Sequence, residues 1–328
     1  MKVLQVTAPG ASVILDLPTP LPGPGQVLLR VDAVTTCPQW DLHLKHNEPM
    51  FVGHAFTYPY APGQPGHEAT GEIAAIGEGV TGFSPGDRVS TWRDPGHRNS
   101  GCYAQYALMS AEDVIKVPAH LSPLATASVE LAMCVGATFL VLKQMDVIRG
   151  RRFGVTGLGP AGLIAVQMAK AEGAAEVVGF DLSPSRQELA RALGADSATD
   201  PRTVDATTFP GRPAKPSIES AVDCVGAKVS VEFLMDHTAD VVALFGVQRE
   251  SYSFEPRHYM GLRLCGYPGH SYAAAEYAVG LVASGGLQLA PLATHELPLE
   301  HYGEGIELLE RQQAIKVCFR PWTEPAAV

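Results

Sequence analysis

Phe153-Gly154-Val155-Thr156 runs straight into Gly157-Leu158-Gly159-Pro160-Ala161-Gly162, and an apolar, helix-like run follows over 163–173. A short β-forming run, then G-x-G-x-x-G, then a helix is the order in which this pattern carries meaning. Gly157 supplies the tight turn, Gly159 lets backbone approach a pyrophosphate, and Gly162 lets the helix pack close on the strand. Pro160 and Ala161 complete the loop, and the helix N-terminus presents N–H groups and a positive dipole end to an anion. Further along, Glu176-Val177-Val178-Gly179-Phe180 is strand-like and ends on Asp181, 24 residues after Gly157. That is close to the ~20-residue spacing of an acid that accepts hydrogen bonds from an adenosine ribose. A carboxylate there repels a 2′-phosphate, so NAD is expected over NADP.

The alternation continues outward. A helix is expected over 183–193, with Ser183 as cap, Pro184 in the first turn and Gly194 as stop. Ala221-Val222-Asp223-Cys224-Val225-Gly226 reads as a strand, 229–235 as a helix, and 240–247 and 262–266 as strands. Val247, at the end of one of these, joins the expected cofactor face. Strands alternating with helices give a doubly wound parallel sheet, hence an α/β fold class. Residues 1–124 read differently. Strands are expected at 13–17, 27–34, 72–80 and 87–91, with Pro/Gly-rich turns between them and no long helix before Pro123. The tail adds helices over 272–284 and 302–311 and a strand over 315–320. The expected domains are a β-rich catalytic domain (1–135), a dinucleotide-binding domain (136–269) and a C-terminal return to the first (270–328).

Composition sets the outer limits. The chain has 328 residues, 46% hydrophobic and 18% charged, with a net charge of −10, an ordinary balance for a globular protein of two domains. No basic cluster exists, so nucleic acid is not an expected partner. Met1-Lys2-Val3-Leu4 does not read as a signal peptide, since Pro9-Gly10 and Asp16 interrupt it. The longest apolar stretch, 131–142, suits a buried helix and is shorter than a bilayer span, so no membrane partner is expected. Six cysteines without a CxxC point to thiols or metal ligands. The cytoplasm is the expected location.

A second motif precedes the first: Gly66-His67-Glu68-Ala69-Thr70-Gly71-Glu72, with Cys37, Asp41 and His43 upstream. With Gly86-Asp87-Arg88-Val89, Gly101-Cys102-Tyr103-Ala104-Gln105-Tyr106, the glycine turn and Ala314-Ile315-Lys316-Val317, the chain resembles the medium-chain dehydrogenase/reductase family over almost its whole length. The branch it resembles is the zinc-dependent alcohol dehydrogenases. The resemblance implies a GroES-like catalytic domain beside the Rossmann domain, and a homodimer or homotetramer. It also implies an oxidoreductase that moves a hydride between NAD(H) and a small-molecule alcohol, aldehyde or ketone at one catalytic Zn²⁺ per chain. An open zinc site lowers the pKa of a bound oxygen and needs a few thiolate, imidazole or carboxylate ligands. Cys37 and His67 match two of them. The third is Cys134, the favoured reading, or Glu130, with Glu68 as a further alternate. By the same likeness Asp41 orients His67, His43 passes the alcohol proton to solvent, Arg186 lies near the adenosine ribose, and Lys316 lies near the pyrophosphate and pairs with Glu68.

Two departures from the family pattern stand out. The segment Cys37-Pro38-Gln39-Trp40-Asp41 is one residue longer than the family's Cys-Gly-Ser/Thr-Asp and lacks the hydroxyl that starts a proton relay. Anchored instead on Asp41-Leu42-His43, it would put Pro38 at the ligand position. Second, only His97 and Cys102 stand where a structural-zinc lobe would carry four spaced cysteines, so one zinc is expected. Trp40, Phe51, Phe56, Tyr58, Tyr60 and Trp92 flank the candidate ligands, and such a wall suits an apolar or aromatic alcohol or aldehyde. Two other readings compete: a zinc-free quinone or enoyl reductase of the same superfamily, and a non-catalytic nucleotide-binding protein.

Overall fold

The computed structural model describes residues 1–51, 53–94, 96, 99–204 and 218–323; His97 lies outside them. In chain order the elements begin with β1 (Lys2–Ala8), β2 (Ala11–Asp16), β3 (Gln26–Thr35), α1 (Pro38–His46), β4 (Glu68–Ile76), β5 (Arg88–Thr91), β6 (Tyr106–Ser110) and β7 (Val114–Lys116). Then come α2 (Pro123–Thr126), α3 (Val129–Gln144), β8 (Arg152–Thr156), α4 (Pro160–Ala171), β9 (Glu176–Phe180), α5 (Pro184–Ala192) and β10 (Ser197–Thr199). The chain continues through β11 (Ile218–Asp223), α6 (Lys228–His237), β12 (Thr238–Leu244), β13 (Arg263–Gly266) and α7 (Tyr272–Ser284). It ends with β14 (Ala293–Pro298), α8 (Tyr302–Glu310) and β15 (Lys316–Arg320).

Contacts divide the chain into two units, Met1–Leu131 with Leu289–Val328, and Ala132–Gln288. The stretch 270–288, assigned from the sequence to the C-terminal return, groups with the nucleotide unit. The reason is local. The Tyr277 hydroxyl on α7 donates to Glu172 at 2.9 Å, and the Gln167 side chain on α4 both accepts from and donates to the Gln288 backbone.

In the second unit the strand order is β10-β9-β8-β11-β12-β13, every neighbouring pair parallel. Numbered within the unit this is 3-2-1-4-5-6, the doubly wound dinucleotide-binding order, with its switch point between β8 and β11. In the first unit β14-β15-β3-β4-β5-β7 form one sheet, β6 pairs β3, and β1 and β2 form a hairpin. Its core gathers residues from both ends of the chain, among them Val31, Leu44, Ile73, Tyr103, Tyr302 and Phe319.

Three expectations change. The β-rich unit does contain a helix, α1, nine residues long and opened by Pro38. The strand expected at 72–80 begins earlier, at Glu68, and ends at Ile76, so the Gly66-His67-Glu68 motif runs into it. The apolar run 131–142 is part of a longer helical stretch, Pro123–Gln144, long and apolar enough by composition to cross a membrane. Of its most apolar window 72% is buried inside the fold, as in a core helix.

Candidate active site

Cys37 leaves β3 and caps α1, with extended backbone (φ −102°, ψ 99°) ahead of Pro38 at the first helical position. One turn on, Asp41 reaches back and accepts the Cys37 N–H at 2.9 Å. The same buried carboxylate accepts the hydroxyls of Tyr302 at 2.8 Å and Tyr103 at 3.0 Å. Burial pushes the Asp41 carboxyl up to about 6, against the opposing pull of the two hydroxyls, His67 and the Cys37 N–H.

His67 stands at the entrance to β4. The glycines on either side of it are packing requirements. A Cβ on Gly66 would lie 2.6 Å from the Tyr103 nitrogen, and one on Gly71 would lie 1.9 Å from the Arg30 carbonyl oxygen. The Thr91 hydroxyl donates to the His67 carbonyl, and the Ala69 N–H donates to the same hydroxyl. On the ring, Nδ1 lies 2.8 Å from the Pro65 carbonyl oxygen. A carbonyl only accepts, so Nδ1 carries the proton and Nε2 keeps its lone pair for a metal. The orienting role expected of Asp41 therefore falls to Pro65. Asp41 is spent on the two tyrosines and on Cys37.

The donors converge. Ligand atoms of Cys37, His67 and Glu68 lie within 4.8 Å of one another. His67 Nε2 is 3.8 Å from the Glu130 carboxylate at the start of α3. Burial pulls the His67 imidazole towards neutrality, yet the hydrogen bond to Cys37 and the charges of Glu130, Cys37 and Asp94 hold its pKa well above the usual histidine range. Thiolate, imidazole and carboxylate are together a donor set that zinc accepts, so the residues present fit the metal.

Glu68 is committed elsewhere. Lys316 Nζ contacts both Glu68 oxygens at 2.6 Å and the Thr36 carbonyl at 2.5 Å. Lys316 and Glu68 are 0% and 1% exposed. The pairing with Glu68 matches the expectation. All three ammonium donors are used within this pocket, which leaves none for a pyrophosphate. Cys134 lies one helical turn beyond Glu130 on α3, and His67 Nε2 faces the Glu130 carboxylate. His43, in the last turn of α1, places Nδ1 at 3.1 Å from the Glu48 carbonyl. Rings of Trp40, Phe51, Phe56, Tyr58 and Tyr60 form one chain of contacts. The Trp92 indole donates to the Glu112 carbonyl, and its ring lies under Arg93.

In the nucleotide unit the glycine turn has the expected geometry. Gly157 has φ +77°, and a Cβ on Gly162 would lie 1.8 Å from the Gly157 carbonyl oxygen. A Cβ on Gly159 would meet nothing within 4 Å, so that face is open to a ligand. Helix α4 begins at Pro160, three residues earlier than expected, with Gly159 as a cap that offers no side-chain hydrogen bond. Its first-turn N–H groups, those of Ala161 and Gly162, are left for an anion. Asp181 accepts the Leu158 N–H at 2.7 Å and the Ser183 N–H at 2.8 Å, with Arg186 at 3.9 Å. Each carboxylate oxygen keeps further acceptor capacity.

The sequence matches the alcohol dehydrogenase GroES-like domain over residues 23–119 and the zinc-binding dehydrogenase domain over 160–282. An L-threonine 3-dehydrogenase of Bacillus licheniformis is 30% identical, across 95% of this chain and 96% of that protein. The chain belongs to the zinc-dependent alcohol dehydrogenase branch of the medium-chain dehydrogenase/reductase family. A sorbitol dehydrogenase of Halalkalibacterium halodurans is 27% identical across 98% of this chain and 99% of its own. The solved alcohol dehydrogenase TADH of Thermus sp. ATN1 has the same fold, with a TM-score of 0.80 at 23% identity over 98% of this chain and 99% of that one.

As a member of this family the protein is an oxidoreductase. It transfers a hydride between an alcohol or its carbonyl counterpart and a nicotinamide dinucleotide, with zinc as metal cofactor. Sequence reasoning about this dehydrogenase missed Asp223. Fully buried at the end of β11, it accepts from Thr156 on β8, from Ser230 on α6 and from the Gly226 N–H. It thereby ties the two strands at the switch point, and it fixes the Gly226 turn, where a Cβ would lie 2.2 Å from the Val247 carbonyl oxygen. Its signal was present in Ala221-Val222-Asp223-Cys224-Val225-Gly226, a strand that ends on an acid just as β9 leads into Asp181.

Proposed function

We propose that the metal is held by Cys37, His67 and Glu130. The observation that carries this reading is the approach of His67 Nε2 to the Glu130 carboxylate, with the Cys37 thiol beside the same ring. The zinc ion, when bound, supplies a Lewis acid that makes the substrate hydroxyl acidic. The protein's own groups do the rest. Asp41 fixes the Cys37 backbone, and the Pro65 carbonyl fixes the His67 tautomer. The Lys316–Glu68 pair sets the local charge without giving up a donor.

His43 stands in for the absent relay hydroxyl. With Nδ1 donating to Glu48, its Nε2 is the acceptor that hands the alcohol proton to solvent. Asp181 favours NAD over NADP by meeting the ribose hydroxyls and repelling a 2′-phosphate, with Arg186 beside it, while Ala161 and Gly162 offer N–H groups to the pyrophosphate. Residues around Gly226 and Val247 border the remaining cofactor face.

A homodimer, or a tetramer built from such dimers, forms through β13, the edge strand of the parallel sheet, which Tyr259 and Met260 flank as exposed apolar side chains. The cytosol is the proposed location. The deciding experiment is zinc content against activity in four variants. Cys37→Ser, His67→Ala and Glu130→Gln each lose zinc and turnover while still binding NADH, and Cys134→Ser keeps both. Zinc loss in Cys134→Ser together with retention in Glu130→Gln would transfer the third position to Cys134.

A further inference from the structure

We infer that the substrate is an alcohol or aldehyde carrying an aryl or bulky apolar group, and not a polyol or an amino acid; this rests on the metal site proposed above. Trp40 is the third residue of α1 and Cys37 is its cap, so the two lie at i and i+3 on one helix face. Helical side chains lean back over the turn N-terminal to their own Cα, which brings the indole over the turn that holds the thiol. Around the indole stand Phe51, His54 and Phe56, with ring centroids at 6.3, 5.7 and 6.2 Å. All three meet it edge-on, at interplanar angles of 72° to 82°.

At its far end the row passes from Phe56 to Tyr60 at 5.7 Å. Tyr60 and the His67 ring both sense Asp94, whose carboxylate is 3.9 Å from His67 Nδ1. The row thus runs from Trp40, three residues after Cys37, to Tyr60. Phe51 is 54% exposed, a large apolar ring left in water at the outer edge of the row. Edge-on rings present faces and edges that receive another aromatic ring. His54 in this row accepts the Met50 N–H on its Nδ1.

A polyol or an amino acid brings hydroxyls or a zwitterion, each of which costs free energy to desolvate unless a polar partner meets it. The rings of Trp40, Phe51, Phe56, Tyr58 and Tyr60 bring neither a carboxylate nor a guanidinium of their own. An apolar group gains by leaving water here. In the reaction the carbinol carbon gives its hydride to NAD, the hydroxyl proton leaves to solvent, and the products are the aldehyde or ketone and NADH.

The test is steady-state kinetics of the zinc-loaded enzyme with NAD on benzyl alcohol, cinnamyl alcohol, sorbitol and L-threonine. The expected result is a kcat/KM for the aryl alcohols at least about tenfold above that for sorbitol and threonine. Trp40→Ala and Phe51→Ala should each erode that preference, the first by about 10- to 100-fold, with zinc content unchanged. Phe51→Ala alters an exposed position, so it reports even if Trp40→Ala does not fold. Turnover of sorbitol or threonine at or above the aryl alcohols, or an unchanged preference in Phe51→Ala, overturns the substrate class and leaves the metal site standing. No turnover of any alcohol by zinc-loaded enzyme that binds NADH overturns both.

Discussion

Replacing Lys316 with Met isolates the buried ion pair. The substitution keeps most of the side-chain volume and removes the charge. Glu68 then loses contacts at 2.6 Å to both oxygens, in a site where it is 1% exposed. Among the described residues, the Thr35 hydroxyl, at 3.4 Å from Glu68 Oε2, is its remaining hydrogen-bond donor. Removing one partner of a buried pair costs about 3–5 kcal/mol, because the other charge stays buried and uncompensated. In a unit of about 170 residues, each kcal/mol moves the melting temperature by roughly 2–4 °C, so a fall of about 6–20 °C is expected. The assay is thermal unfolding followed by tyrosine and tryptophan signals, run with a chelator so that zinc binding does not add its own stabilisation. The double variant Lys316→Met/Glu68→Leu removes both charges and should recover most of the loss. A Lys316→Met melting point within about 2 °C of wild type, or a double variant no better than the single one, would refute the claim that this pair is desolvated and mutually dependent.

Other outcomes follow from the same geometry. Asp41→Asn should be most destabilising in acid. The wild-type carboxyl is pushed up to about 6 from 3.8, so the stability it gains from holding a proton is full below about pH 4 and is lost as pH rises through about 6. That amounts to about 3 kcal/mol in the difference between the two proteins, and denaturant melts from pH 4 to 7 measure it; a difference that grows with pH refutes the sign. Tyr302→Phe leaves Asp41 one donor short in a buried site and should cost about 1–3 kcal/mol, read by the same melts. Gly159→Ala should fold normally and bind NADH weakly, since its Cβ enters only the open face, whereas Gly162→Ala should disturb the turn itself; fluorescence titration with NADH and thermal melts separate the two.

The nucleotide half was legible because glycine positions are local. Gly157, Gly159 and Gly162 each answer to backbone only a few residues away, and Asp181 closes a strand that its own composition announces. Helix α1 was not legible, because nine residues with a proline at the start and charged or polar groups on most faces leave no apolar period to read. For the third ligand the sequence favoured Cys134 over Glu130; the two stand at i and i+4, so helical spacing alone leaves them on the same face. The partner of Asp41 lies 261 residues away on α8, and no local pattern carries a pairing of that range. The length of Cys37-Pro38-Gln39-Trp40-Asp41, which looked like a defect in the motif, has a structural use: it sets Asp41 one full turn beyond the cap, where its carboxylate returns to the Cys37 N–H.

The first unit is assembled from both ends of the chain. Its sheet reads β14-β15-β3-β4-β5-β7, so the strand carrying Lys316 lies against β3. During synthesis the nucleotide unit, one continuous stretch from Ala132 to Gln288, is complete before β15 has been made. Glu68 therefore waits 248 residues for its counter-ion. Domains fold as units, the earlier-finished first, so the dinucleotide module matures ahead of the chemistry it serves, and a chain truncated before β15 would keep the one while lacking the other.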